Sequence, residues 1–501
     1  MSRYFKTAAF LSLFLLASCV TEDDLIIGET VEPNPDADVQ VQNFMWKAMN
    51  FWYFWQDEVE NLSDDRFPNT QEGSDDYTEF LLSEEDPGVF FDNRLLFSED
   101  RFSFYNDDYV ELTQSLSGIS KSNGMEFGLI RFSDSDEVFG YVRYIIPNSD
   151  AAGKNIERGD LFTGVDGQTL FSDRNNTNNN NLDLLFGDND TYTLNMATVV
   201  DGVPEPNGEE VTLTKQENLQ ENPIFLDEII EIGSQKIGYL VYNGFTNEFD
   251  EQLNDVFGRF KSGGVTDLVL DVRYNPGGSV NTARLLSSMI YGTDTDEVFL
   301  KARYNDKYQL VLEDNGTDVQ DYFADRTGEG TAINTLNLSK VYILTTNGSA
   351  SASELVINGL EPYLNVVQIG ETTRGKNEFS VTMVDDRENN YLYSPSRTDK
   401  IASGNRWAIQ PLLGRNENAD GFSDYTAGLI PDIPLREDIS NLGVLGDLGE
   451  PLLAKAIEEI TGTATAKTDF SVALPAEAFT SSKLQTPMAD NMYVTDVPVI
   501  R

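Results

Sequence analysis

The sequence predicts a multidomain α/β protein, and three observations carry that prediction. The chain has 501 residues, more than the ~250–300 at which a single hydrophobic core stops growing, so two or three domains are expected. From about residue 222, apolar strand-like runs alternate with helix-like segments, the pattern of a parallel or mixed sheet with helices on its faces. The regions ahead of it differ in character: 41–112 reads as helical and aromatic-rich, 113–216 as short strands joined by turns.

Composition then narrows the chemistry. Thirty-five Lys and Arg against 84 Asp and Glu give a net charge of −49, which repels nucleic acid and anionic membrane surfaces. The acidic residues are scattered, as on a solvated surface. The chain has no histidine, which removes Ser-His-Asp triads, His-ligated zinc and His acid–base chemistry together. A single cysteine allows no intrachain disulfide and no CxxC metal site. Nucleophilic catalysis is left to Ser or Thr, activated by Lys, Asp, Glu or Tyr.

In chain order, 1–18 carries Arg3, Lys6 and an apolar stretch too short to span a bilayer, as in a secretory signal peptide. Leu16-Ala17-Ser18-Cys19 resembles a bacterial lipobox, which implies that Cys19 is the lipidated mature N-terminus and 19–40 a tether. Thr21-Glu22-Asp23-Asp24 resembles the surface-export signal of some Bacteroidetes lipoproteins. The expected location is the cell envelope, anchored to the outer membrane on its periplasmic side or at the cell surface.

Residues 41–112 form the expected N-terminal helical domain. Phe44, Trp46, Phe51, Trp52, Phe54 and Trp55 cover more than one helical face, so core packing is expected rather than a ligand platform. The Asp/Ser/Pro/Gly content of 57–77 reads as loop, and 78–85 as a helix that Pro87-Gly88 ends.

Residues 113–216 contain Gly124-Met125-Glu126-Phe127-Gly128-Leu129, then Ile146-Pro147-Asn148-Ser149-Asp150-Ala151-Ala152-Gly153, then Arg158-Gly159-Asp160 leading to Val165-Asp166-Gly167. This set resembles a PDZ domain. The resemblance implies that a peptide strand adds to the edge carrying Phe127, Gly128 and Leu129, with a terminal carboxylate held on backbone N–H groups. The Asn-rich 175–181 reads as a polar loop without assignable chemistry.

The α/β core is expected over 217–462: strands at 236–242 and 268–272, helices at 251–260 and 281–290, and a closing helix at 451–460. Within it, 340–376 carries a buried strand (341–346), an Asn347-Gly348 break, the small residues 349–353 and a helix (354–360) stopped by Pro362. A second apolar run (366–369) and a loop ending in Lys376 follow. A hydroxyl thus sits at a strand-to-helix turn, with a lysine delivered by the next strand and loop. Residues 463–501 are polar and poorly periodic, and read as a peripheral tail.

Two glycine-bearing turns bear on chemistry. Asn275-Pro276-Gly277-Gly278 ends a strand, and its glycines let backbone N–H groups point into a cavity, as an oxyanion hole requires; a plain tight turn explains it equally. In Ser349-Ala350-Ser351-Ala352-Ser353-Glu354 any serine, or none, is the nucleophile, and Ser351 with Glu354 has the spacing of a helix capping box.

The three motifs together, Asp271-Val272-Arg273-Tyr274-Asn275-Pro276-Gly277-Gly278, then 347–354, then Gly370-Glu371-Thr372-Thr373-Arg374-Gly375-Lys376, resemble the C-terminal processing (tail-specific) peptidases over roughly 115–435. Those are Ser/Lys-dyad serine proteases with a PDZ domain. The resemblance implies a crotonase-like ββα superhelical core, Ser351 as nucleophile, Lys376 as general base, and oxyanion donors at the N–H groups of Ala352 and Gly277. Where many members carry a glutamine that orients the lysine, this chain has Ser380, taken as the third catalytic position. A lysine base must be neutral, so burial has to lower its pKa by a few units from ~10.4. The expected partners are protein or peptide substrates captured by their C-terminal tails, with membrane attachment through the lipid anchor, no nucleic acid, no cofactor and no metal. The alternative, from another class, is a non-catalytic tail-binding scaffold lipoprotein on a peptidase fold.

Overall fold

The computed structural model describes residues 31–176, 178–463, 476–487 and 489–498. The expected signal peptide and Cys19 lie outside the described residues. The architecture is mixed α/β and multidomain, as the alternation of elements predicts.

The N-terminal layer consists of the helices Gln40–Trp52, Gln71–Leu81 and Pro87–Phe90 with short connecting turns. Its aromatics are packing residues: Trp46 meets Phe67 and Tyr77 edge-on, and Phe44, Met49 and Trp52 are buried. The layer is fixed to the α/β core by hydrogen bonds that Asn305 Nδ2 donates to the carbonyls of Phe51 and Tyr53. One stretch differs from expectation. The helix Gln71–Leu81 begins inside the 57–77 segment read as loop, because Thr70 caps it by accepting from the N–H of Gly73.

The second domain is an antiparallel β-sheet. Met125–Phe132 pairs with Val138–Ile145, then come Leu161–Val165, Thr191–Val200 and Val203–Thr214. Its core gathers Phe127, Leu129, Val142, Phe162, Leu194 and Leu213. The segment 146–153 holds only a single 3-10 turn, Ala151–Gly153.

The α/β core is a six-stranded sheet in the order Ile224–Ile232, Gln235–Tyr242, Asp267–Asp271, Lys340–Thr345, Asn365–Gly370, Ile433–Pro434. It is parallel after its first hairpin. Because strand side chains alternate between faces, Leu268, Leu270, Val341 and Ile343 join the helices Asp250–Gly263, Val280–Ile290 and Ala352–Leu360 on one side. Val269, Tyr342, Leu344 and Ile369 join the helix Pro451–Thr461 on the other. The turns that carry Gly277 and Ser351 leave the C-terminal ends of adjacent strands in this sheet, so topology brings them together.

The C-terminal stretch overturns the expectation of a peripheral tail. The strand Ala476–Ser481 pairs antiparallel with Met125–Phe132, and Met492–Tyr493 lies parallel between Gly278–Ser279 and Glu378–Ser380. Met492 is fully buried in the main core. Burying a side chain of that size stabilises by roughly 1.5–3 kcal/mol, a contribution that a polar composition averaged over 463–501 conceals.

Candidate active site

The strand Asp267–Asp271 ends in a buried ion network that fixes the loop after it. Arg273, 1% exposed, donates to both oxygens of Asp271 and to Glu450 on two nitrogens, and its Nη1 also reaches Glu437 at 3.0 Å. Arg158 of the β-domain donates to Glu437 at 2.9 Å and to the Tyr274 hydroxyl at 2.8 Å. Burial alone would raise the Glu437 carboxyl; Arg158 and Arg273 outweigh it and hold it at about 2. The β-domain, the strand end and the glycine turn are thereby tied to one carboxylate.

The serines of the second motif have separate employments. Ser349 Oγ donates to the Val272 carbonyl at 2.8 Å and accepts from the Thr346 N–H, and Ser353 Oγ donates to the Asn275 carbonyl at 3.1 Å. Both hydroxyls staple the glycine turn to the helix start. The Ser351 hydroxyl, fully buried, has no hydrogen-bond partner. Its backbone sits at φ +63°, ψ −113°, a conformation that costs a non-glycine residue about 1–3 kcal/mol. The Ser351–Glu354 spacing is that of a capping box, but only the half in which Glu354 accepts from the Ser351 N–H has sound geometry; Oγ stays unbonded.

Glu354 is the hinge of the site. Its Oε2 accepts from the N–H of Ser351 at 2.7 Å and of Lys376 at 2.9 Å, while Oε1 accepts from the Gly375 N–H at 2.7 Å and the Thr373 hydroxyl at 2.5 Å. Ser351 and Lys376 are thus held side by side on one carboxylate oxygen. Burial pushes the Glu354 carboxyl up to about 7, against the pull of those four donors.

Lys376 is 1% exposed. Desolvation lowers its amine to about 8, although Asp490, Glu378, Asp100 and Glu354 all act to raise it. Its ammonium lies 4.9 Å from the ring centroid of Phe102, and the neighbouring Arg101 donates to the Gly375 carbonyl. The N-terminal layer therefore closes one side of the lysine. An unbonded hydroxyl on a strained helix N-terminus, and a buried lysine whose backbone docks on the same carboxylate and whose amine is lowered to about 8, are the parts that nucleophilic attack needs.

The remaining expected residues fall as follows. Gly277 lies against Ser351: a Cβ there would come within 2.7 Å of Ser351 Cβ. Its N–H, however, donates to Asn275 Oδ1 at 2.9 Å, and it is the Gly278 N–H that faces a carbonyl of the cleft, that of Asn491, at 2.6 Å. Ala352 is the first residue of the helix Ala352–Leu360, so its N–H lies outside the intrahelical ladder. The Ser380 hydroxyl is engaged away from Lys376: its single proton is shared between Asn491 Oδ1 at 3.0 Å and the Met492 carbonyl at 3.1 Å, and its oxygen accepts from Gln410 Nε2. Phe127, Gly128 and Leu129 lie on the strand that Ala476–Ser481 covers. The fourfold role of Glu354 and the presence of Phe102, Asp490 and Asn491 escaped sequence reasoning. Only Glu354 carried a signal, its capping-box spacing.

Comparison with known proteins finds similarity over both the N-terminal layer and the α/β core. Residues 236–403 match peptidase family S41, and 40–104 match the peptidase S41 N-terminal domain. A CtpA-like serine protease of Staphylococcus aureus is 28% identical over 192 residues, 37% of this chain and 35% of the relative. The carboxy-terminal processing protease CtpA of Bacillus subtilis is 25% identical over 146 residues, 29% of this chain and 27% of that one. The chain thus spans about a third of the length of the curated relatives it matches. A solved Bacteroides fragilis structure classed as an S41 protease is 26% identical, with a TM-score of 0.62, covering 86% of this chain and 99% of that one.

Proposed function

We propose that this chain, which carries the peptidase and N-terminal domains of peptidase family S41, is a serine endopeptidase that cleaves protein or peptide substrates captured by their C-terminal tails. The observation that supports it most is the docking of the Ser351 and Lys376 backbones on the same Glu354 oxygen, the first with a free hydroxyl and the second with an amine lowered to about 8.

In this reading the neutral Lys376 amine takes the proton of Ser351 Oγ as the oxygen attacks the scissile carbonyl carbon. The oxyanion is stabilised by the N–H of Ala352 and by the glycine turn, where Gly278 has the better-placed donor. The lysine ammonium then protonates the leaving amine, and water, deprotonated in turn by Lys376, releases the acyl group from Ser351. The β-domain acts as a PDZ-like module that presents the edge Phe127–Gly128–Leu129 to an incoming strand. Ser380 acts as a positioning residue at the cleft wall. Cys19 carries the lipid that holds the protein to the outer membrane.

Hydrolysis of an unfolded test protein, followed by the appearance of new termini, tests the reading: Ser351→Ala and Lys376→Ala each remove it while the melting transition persists. Undiminished cleavage by Ser351→Ala overturns it. The scaffold reading draws on Ser380, which stands where a glutamine would orient the lysine and bonds to Asn491 and Met492, and predicts tail binding with no cleavage by the unaltered chain.

A further inference from the structure

We propose that residues 476–498 are this chain's own occupant of its peptide-binding path, an intramolecular competitor that an incoming substrate strand must displace. The inference rests on the peptidase reading for the word substrate, and on geometry for the rest.

The segment covers both halves of the path. At the β-domain, Ala476–Ser481 forms an added antiparallel strand on Met125–Phe132, with Ser481 opposite Gly128 and Thr480 opposite Leu129. Past the strand, Ser482 Oγ accepts from the Phe127 N–H at 2.9 Å and donates to Glu126 at 2.5 Å. The Phe479 ring lies under the Arg131 guanidinium at 4.6 Å. Backbone pairing at a sheet edge is how an extended peptide is taken up irrespective of most of its side chains, so a second strand cannot add there while this one is seated.

Ten residues on, the same segment enters the catalytic cleft. The Asn491 carbonyl accepts from the Gly278 N–H at 2.6 Å. A Cβ on Gly277 would meet that carbonyl oxygen at 2.6 Å and Ser351 Cβ at 2.7 Å, so the tail carbonyl and the Ser351 side chain flank one glycine. Asn491 and Met492 are fully buried, and Met492–Tyr493 completes the sheet between Gly278–Ser279 and Glu378–Ser380. The Val494 N–H donates to the Ser380 carbonyl at 2.9 Å, and Asp490 pairs with Arg374 at 2.9 Å. The carbonyl position that the glycine turn would offer to a substrate is already filled.

Its conformation is that of an occupant, not of a chain about to be cut. Asp490 turns the backbone at φ +45° immediately before Asn491, and both Asn491 Nδ2 and Ser351 Oγ are buried without partners. Asp490 also heads the charged groups that favour the ammonium form of Lys376, so the seated segment opposes the neutral amine that attack requires.

The test uses a full chain with a recognition sequence for an added protease inserted in 464–475, so that the protein folds before the segment is cut free. In a Ser351→Ala background, a fluorescein-labelled peptide of sequence 476–498 is titrated against the protein before and after nicking. At least tenfold tighter binding after nicking, with the released segment recovered in the flow-through, is the expected result. Equal binding before and after overturns the proposal, as does a segment that stays bound until the protein melts. A variant ending at residue 475 repeats the comparison without any nick. Cleavage of an unfolded protein is measured in parallel with Ser351 intact: a rise of at least tenfold in kcat/KM after release is expected, carried by KM. If the labelled peptide gains access but neither form cleaves, the occupancy stands and the peptidase reading falls. If cleavage is found but the peptide binds both forms equally, the reverse holds.

Discussion

Ser351 and Lys376 donate their backbone N–H groups to the same oxygen of Glu354, at 2.7 and 2.9 Å. A residue at the first turn of a helix thereby ties together the backbones of a candidate nucleophile and its candidate base, which belong to different strand–loop units. Glu354→Ala leaves four donors without their acceptor in a buried site, each unmet group costing about 1–3 kcal/mol. The expected result is a loss of several kcal/mol in chemical denaturation and no detectable hydrolysis. Glu354→Gln keeps the shape but turns an N–H₂ toward donors. It is expected to retain more stability than Ala yet lose at least tenfold in kcat/KM, a split that a purely structural role would not produce.

The pH dependence follows from Lys376. With its amine lowered to about 8 by burial, against Asp490, Glu378, Asp100 and Glu354, the neutral form grows as pH rises through that value. The profile of kcat/KM is expected to rise with it, with unit slope below and a plateau above. Stability has the same sign. Between about pH 8 and ~10.4 the unfolded chain binds more protons at this lysine than the folded one, so folding becomes more favourable as pH increases across the window. Denaturant melts of the unaltered protein against Lys376→Met isolate the contribution: the dependence in this window is present in the first and absent in the second.

Arg273 supplies a stability prediction independent of catalysis. It joins three carboxylates at 0–9% side-chain exposure, and removing one partner of a buried ion network leaves uncompensated charge, typically costing about 3–5 kcal/mol. Arg273→Ala is expected to lower the unfolding free energy by that amount, read as a lower denaturation midpoint at an unchanged m-value. Glu437, held at about 2 by Arg158 and Arg273 against the opposing effect of burial, adds a pH signature. Its contribution is complete above the ordinary glutamate value of ~4.3, and is lost as pH falls from there through about 2. In Arg273→Ala that acid-side loss is expected to shrink, because one of the two cations responsible is gone.

The core was legible in the sequence because its strands are buried on both faces and read as continuous runs, as at Leu268–Val269–Leu270, with glycine punctuation at their ends. The helix Gln71–Leu81 was not, since its start depends on the Thr70 side chain reaching Gly73 within a stretch whose Asp, Ser, Pro and Gly content suits a loop equally well. The resemblance of three ordered motifs singled out Ser351 and Lys376, but the employment of Ser349 and Ser353 as staples to Val272 and Asn275 is a tertiary fact with no local pattern. The same holds for the tail. Asn491 and Met492 are fixed by partners more than 100 residues away, and no periodicity within 463–501 records them.

Ser351 itself combines function and strain, and the two can be separated. At φ +63°, ψ −113° a residue with a Cβ is held in a sparsely populated region at about 1–3 kcal/mol, whereas glycine adopts positive φ freely. Ser351→Ala and Ser351→Gly both remove the hydroxyl, so both are expected to be inactive. They differ in backbone freedom and in one buried methyl: glycine relieves the strain in the folded state but loses about 0.5–1 kcal/mol through the greater entropy of its unfolded chain and ~0.8 kcal/mol of methyl burial. The balance favours glycine by up to ~2 kcal/mol, so Ser351→Gly is expected to denature at higher denaturant concentration than Ser351→Ala, with an unchanged m-value. The reverse order would mean that the turn carries no strain and that its conformation follows from the local sequence, not from the packing of Glu354 and Gly277 around it.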